Sequence, residues 1–216
     1  MGLLSDPAGA VMNLIVLLLS LTFHEFFHAW SAWKLGDDTA ARLGRLTLNP
    51  VPHIDPIGTL LLPLLGAPIG WAKPVPVNPA RFRRDVRQST GDILVSAAGP
   101  LSNLLLGTIA AILLGILLRL APEAVGPGEA GRALLVRFMI VNTGLAIFNL
   151  LPVPPLDGSH VAENLMPLRL RPAWEQFARF SPFVLVALIV FGRGIIYPPI
   201  MFVFGLLQQL TLSIAT

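Results

Sequence analysis

The chain has 216 residues, 54% of them hydrophobic and only 12% charged, with a mean hydropathy of +0.73. An ordinary soluble domain carries about 25% charged residues, so this composition is that of an integral membrane protein. The net charge of +3 and the pI near 10.2 do not describe a nucleic-acid surface, because the basic residues cluster in connections beside apolar runs, where they set topology. With 0 cysteines, neither a disulfide framework nor a thiolate metal site is available, and any metal must rest on His and carboxylates.

The pattern predicts an all-α polytopic membrane protein forming one membrane-embedded unit over residues 1–216. Three core helices fall at about 8–35, 90–120 and 133–155, and a C-terminal helical segment at about 181–215 holds one or two further helices. The first helix is long enough to cross a hydrocarbon core, which needs about 20 residues. It lacks the basic leader and the small-residue cleavage site of a signal peptide, so it is read as retained, with the chain starting at Met1. In its second half stands His24-Glu25-Phe26-Phe27-His28.

After a polar connection with Arg42 and Arg45 come His53-Ile54-Asp55-Pro56 and an apolar stretch, Ile57 to Trp71, interrupted by Pro63, Gly66, Pro68 and Gly70. It is short for a span. A re-entrant element and a genuine short helix are both compatible with that length. Lys73-Pro74-Val75-Pro76-Val77-Asn78-Pro79 cannot be helical, because proline removes donors and forces its predecessor to be extended. Such a strip beside a metal site either pairs with an unwound peptide by strand addition or is a plain connector. Arg81, Arg83, Arg84 and Arg87 follow.

The second core helix carries Gly99-Pro100-Leu101-Ser102-Asn103, small residues for close packing and an amide that needs a partner. The third ends in Asn149-Leu150-Leu151-Pro152-Val153-Pro154-Pro155-Leu156-Asp157-Gly158, whose prolines must break it and leave Asp157 on irregular backbone. Beyond an amphipathic stretch with Arg169, Arg171 and Arg179, the apolar tail is expected to break at Gly192-Arg193-Gly194 and at Pro198-Pro199. Basic residues crowd the connection between the first two core helices and the segment after the third, which places both in the cytoplasm. The N-terminus then lies outside the cell membrane, and His24, His28 and Asp157 share a depth near the cytoplasmic face.

Residues four apart share a helical face, so two imidazoles in HExxH can grip one ion with the glutamate beside them. Ionisable groups are costly in a bilayer, which marks the cluster as a functional site and points to peptide hydrolysis within the membrane. A hydrolytic zinc ion takes three protein ligands and a water. His24 and His28 supply two, and the third comes from Asp55, Asp92, Asp157 or His160. Asp157 is chosen, because the broken backbone can aim its carboxylate inward beside Gly158. Glu25 is then the general base. Asn149, with Asn142 on the same face, is placed to donate to the scissile carbonyl or to tie helices together. His160 either approaches the site or caps a turn, and the turn is preferred.

These two motifs together resemble the site-2 proteases, the zinc intramembrane metalloproteases, whose NxxPxPxLDG signature matches residues 149–158. Gly99 to Asn103 and Gly70 to Asn78 are also similar to family segments, so the resemblance covers about residues 8–165. It implies that one Zn2+ is bound by His24, His28 and Asp157, that Glu25 is catalytic, that Asn149 assists the carbonyl, and that residues 57–78 admit or hold the substrate. The substrate would be a transmembrane protein within the lipid bilayer, in regulated proteolysis, with no nucleic-acid partner. The connections leave no room for a PDZ domain or a CBS pair, so the chain resembles a compact member. A non-catalytic zinc protein or transporter would need a second polar layer, and Val11 to Leu19 offers only Asn13. A zinc hydrolase of lipid is the other alternative.

Overall fold

A computed structural model describes residues 6–65 and 70–216. Gly66 and Pro68, two of the expected interruptions, lie outside the described residues. The described chain forms eight α-helices: α1 (Pro7–Lys34), α2 (Thr39–Arg42), α3 (Leu62–Leu64), α4 (Gln88–Leu120), α5 (Ala130–Asn149), α6 (Asp157–Leu165), α7 (Arg171–Phe191) and α8 (Arg193–Ala215). Five are long and apolar enough to cross a membrane: α1, α4, α5, α7 with the turn before it, and α8. No strand forms among the described residues.

The helices bury small and polar residues and turn large apolar ones outward, the reverse of a soluble bundle, because lipid accepts the aliphatic side chains that water rejects. On α4 the buried set includes Gly99, Ser102, Asn103, Gly107, Ala110 and Ala111, while Leu101, Leu105, Ile109 and Leu113 are exposed. α4 is the central pillar. It packs against α1, α5, α6 and α8. A Cβ on Gly115 would sit 2.8 Å from the Thr211 carbonyl oxygen of α8, so only glycine allows that approach. The Thr211 hydroxyl donates to the Ala111 carbonyl across the same seam at 3.1 Å.

Helix ends follow local chemistry. Asp6 caps α1 by accepting from the Gly9 amide at 2.9 Å, with Pro7 as the first helical residue. Gly36, at φ +108°, turns the chain sharply after α1. Asp55 caps a π-helical turn, Pro56–Leu61, accepting from Ile57 and Gly58. Past α3 the chain comes back on itself: the Trp71 amide donates to the Gly58 carbonyl and the Thr59 hydroxyl to the Trp71 carbonyl. The two described ends of the segment 57–71 are thus bonded to each other, and its described α-helix is only three residues long.

Three expectations are corrected. Asp157 lies not on irregular backbone but as the first residue of α6. The tail breaks only at Gly192, because Pro198 and Pro199 fall inside α8, where neighbouring helices let a membrane helix tolerate proline. His160 caps no turn; it stands within α6 with its ring toward Asp92.

Candidate metal centre

Nε2 of His24 and Nε2 of His28 lie 3.0 Å apart on the inner face of α1. Asp157, delivered from the far side of the proline-rich turn, places Oδ2 3.1 Å from the first and Oδ1 3.3 Å from the second. All three offer a ligand atom within 4.8 Å of the others. Gly158 makes the approach possible, since any Cβ there would run into the Leu150 and Leu151 carbonyls. The glycine is needed for room rather than for an unusual φ.

The groups behind the imidazoles decide what faces the centre. His28 Nδ1 lies 2.7 Å from the Val95 carbonyl, which can only accept, so Nδ1 carries the proton. The Asn103 amide nitrogen donates to the Ser20 carbonyl and to Asn142 Oδ1, which turns Asn103 Oδ1 toward His24 Nδ1 at 2.6 Å. That nitrogen also carries its proton. In the neutral rings, the form that binds a metal, both Nε2 atoms therefore present lone pairs to each other and to a carboxylate. Asp157 Oδ2 is buried with no hydrogen-bond partner among the described residues. Three converging electron-pair donors without a proton between them are unstable together unless a cation joins them, and two imidazoles with one carboxylate suit zinc. The residues fit the ion. Gly99 supplies its space, because a Cβ there would contact both Nε2 atoms.

Glu25, buried at 7% exposure, turns aside from the ligands, and its Oε2 accepts the Val75 amide at 2.8 Å. The strip 71–78 thus lies across the centre, pinned from below. The Lys73 amide donates to the His53 carbonyl, and Asn78 donates to buried Asp37 at 2.6 Å. Buried Arg45 holds the Lys73 carbonyl and, at 3.4 Å, that of Pro74. His53 supports Arg45 through Nδ1 while its Nε2 donates to the Thr47 carbonyl at 3.0 Å. Burial pushes the His53 imidazole below its ordinary pKa, and the neighbouring Arg45 adds to the shift.

A cavity of about 990 Å³ opens over the centre, lined by His24, Glu25, His28 and Asp157, the strip, and Leu185 and Ile189 of α7. Asn149 lines it as well, with its amide nitrogen on the Leu145 carbonyl at 3.0 Å. Asn142 does not: it is fully buried, tied to Ser20 and Asn103. Of the other candidate third ligands, Asp55 is spent on its cap, and Asp92 pairs with His160 at 3.6 Å and Asn164 at 2.5 Å. Sequence reasoning did not find Val95, whose contribution is a backbone carbonyl, or Arg45, which it placed among the topology charges.

A profile of peptidase family M50 matches residues 128–192, which include Asn149 and Asp157. "Putative zinc metalloprotease YwhC" of Bacillus subtilis (strain 168) is 40% identical over 187 residues, covering 85% of this chain and 83% of that protein. "Putative zinc metalloprotease Rip2" of Mycolicibacterium smegmatis is 36% identical over 141 residues, 65% of this chain and 52% of that one. Its namesake in Mycobacterium tuberculosis (strain H37Rv) is 33% identical over 181 residues, 83% of this chain and 66% of that one. The matches thus span about half to two thirds of the length of the mycobacterial relatives. No solved structure matches the chain.

Proposed function

Because the chain belongs to peptidase family M50, the site-2 protease family, we propose that this multi-pass membrane protein hydrolyses peptide bonds within or beside the transmembrane segments of other membrane proteins, with Glu25 as general base and one zinc ion held by His24, His28 and Asp157. The observation that carries the reading is the arrival of Asp157, more than a hundred residues along the chain, at 3.1 and 3.3 Å from the two imidazoles. Bound there, zinc polarises a carbonyl and lowers the pKa of a ligated water to about 7.

The chain's own groups do the rest. Glu25 takes the proton of the attacking water and returns it to the leaving amine, while the Val75 amide fixes the carboxylate through Oε2. A peptide carbonyl is available only after the substrate helix unwinds. The strip offers such a peptide an edge: the main-chain groups of Ala72 meet no partner among the described residues, and Ala72 lines the cavity. Asn149 donates to the carbonyl with the amide hydrogen not spent on Leu145. Substrate reaches the cavity laterally, past Leu185 and Ile189 of α7, and water reaches it from the cytoplasmic side of the cell membrane, with the N-terminus outside. The whole of residues 1–216 acts as one catalytic unit in regulated proteolysis.

Purified protein incubated with a membrane-spanning reporter tests this. Chelator-sensitive cleavage, lost in Glu25→Gln with zinc content intact, is the expected result. Undiminished cleavage by that variant removes Glu25 from the mechanism, and zinc retained by Asp157→Ala removes the third ligand.

A further inference from the structure

Asp92, Val95, Gly99 and Asn103 form a single stripe on α4, at spacings of three, four and four residues. Val95 orients His28, Asn103 orients His24, and Gly99 leaves the space between them. Only Asp157 lacks a partner of this kind from the stripe, and Asp92 is the member without an assigned task.

We propose that Asp92 is a positioning residue for zinc, acting on Asp157 by fixing the short helix that carries it. The inference rests on the zinc reading above. α6 has nine residues and buries only Gly158 and Ser159, both small, with Leu156 buried just ahead of it, so its second turn has no buried large apolar side chain of its own. Asp92 reaches across from the second turn of α4. Its Oδ2 accepts from the Asn164 amide at 2.5 Å and pairs with His160 at 3.6 Å, and the same Asn164 nitrogen also donates to the His160 carbonyl at 2.9 Å. His160 and Asn164 are four residues apart, so one carboxylate grips one face of α6 at two points. Asp157 sits one turn before His160 on that helix. Through this grip α4, which contributes no ligand, sets the position of all three.

Zinc affinity of the full chain, stripped by chelator and titrated against a competing chelator, is the readout. Wild type is expected to bind one zinc and Asp157→Ala to bind none; failure of that pair overturns the zinc reading itself. With the pair as expected, Asp92→Ala should weaken zinc about 10- to 100-fold, the usual effect of losing a group that orients a ligand. Asp92→Asn, which keeps an oxygen for Asn164, should stay within about threefold, as should Glu163→Gln, which removes a nearby cavity carboxylate that has no bond to α4. Asn164→Ala, which leaves the His160 contact in place, should show part of the loss, and combining it with Asp92→Ala should add nothing to Asp92→Ala alone, because Asp92 holds both points. Zinc bound as tightly by Asp92→Ala as by Asp92→Asn overturns the proposal. So does cleavage lost at unchanged affinity, which would make the pair part of turnover. Should Asp92→Ala fail to fold, the pair of changes His160→Ala and Asn164→Ala breaks both contacts from the other side, and zinc bound by that variant as tightly as by wild type overturns the proposal equally.

Discussion

Behind the imidazoles stands α4, whose Val95 and Asn103 meet them at 2.7 and 2.6 Å from within a packed helix. In front of Glu25 runs the strip 71–78, which has no helix of its own and hangs by a few separate hydrogen bonds from His53, Asp37, Arg45 and Glu25 itself. The back wall is packed and the front wall is hung. A metal ligand must be held to within fractions of an ångström, whereas a surface that receives an unwound peptide has to yield. The contrast predicts that damage behind the histidines shows in the metal and damage in front shows in substrate handling.

The largest effect should come from Gly99→Ala. Its Cβ would lie against both Nε2 atoms, so zinc stoichiometry measured by elemental analysis should fall to none. Retained zinc would mean that α1 and α4 are free to part, against the packed back wall. Asn103→Leu should be milder: it strips His24 of its acceptor and Asn142 Oδ1 of its donor, weakening zinc about 10- to 100-fold in a chelator competition.

Arg45→Ala addresses the front wall. Freeing two strip carbonyls from a buried guanidinium should cost on the order of 2 kcal/mol of local stability. Faster amide exchange at Val75 and a raised KM, with zinc content unchanged, are the expected signs. A loss of zinc instead would merge the two walls into one. The smallest effect concerns His53. Because burial holds its folded pKa below the ordinary value of about 6.5, its contribution is complete above 6.5 and is lost as pH falls through the depressed value. Protection of the Lys73 amide, which bonds the His53 carbonyl, taken relative to its intrinsic exchange rate at each pH, should therefore fall between pH 7 and pH 5, and His53→Asn should flatten that dependence.

The same division governs what could be read beforehand. HExxH lies on one helical face and Asp157 in a proline signature, so identity and spacing pointed to the three side chains that converge. Three of the five long helices were legible from their apolar runs and the tail as one or two more, its count open because Pro198 and Pro199 look like breaks until neighbouring helices are there to accommodate them. Asn103 was visible as an amide in want of a partner, but its partner lies 79 residues away. Val95 contributes only a carbonyl, which any residue possesses. Arg45 sits in a basic connection where a charge that faces water and a charge that is buried look alike. What ties the strip down is mostly main chain, and main chain leaves no trace in composition.

Ser20, Asn103 and Asn142 form the layer beneath His24, all buried, each bonded to the next. A wet cavity sunk into a bilayer is half of a channel, and an energised membrane drives protons through any continuous file of water. Beneath His24 stand amides whose hydrogens already point at protein oxygens, with the apolar run Val11 to Leu19 of α1 beyond. On the proposed function, the floor that orients a ligand would also be a seal, letting a hydrolase keep water within a membrane without discharging the gradient across it.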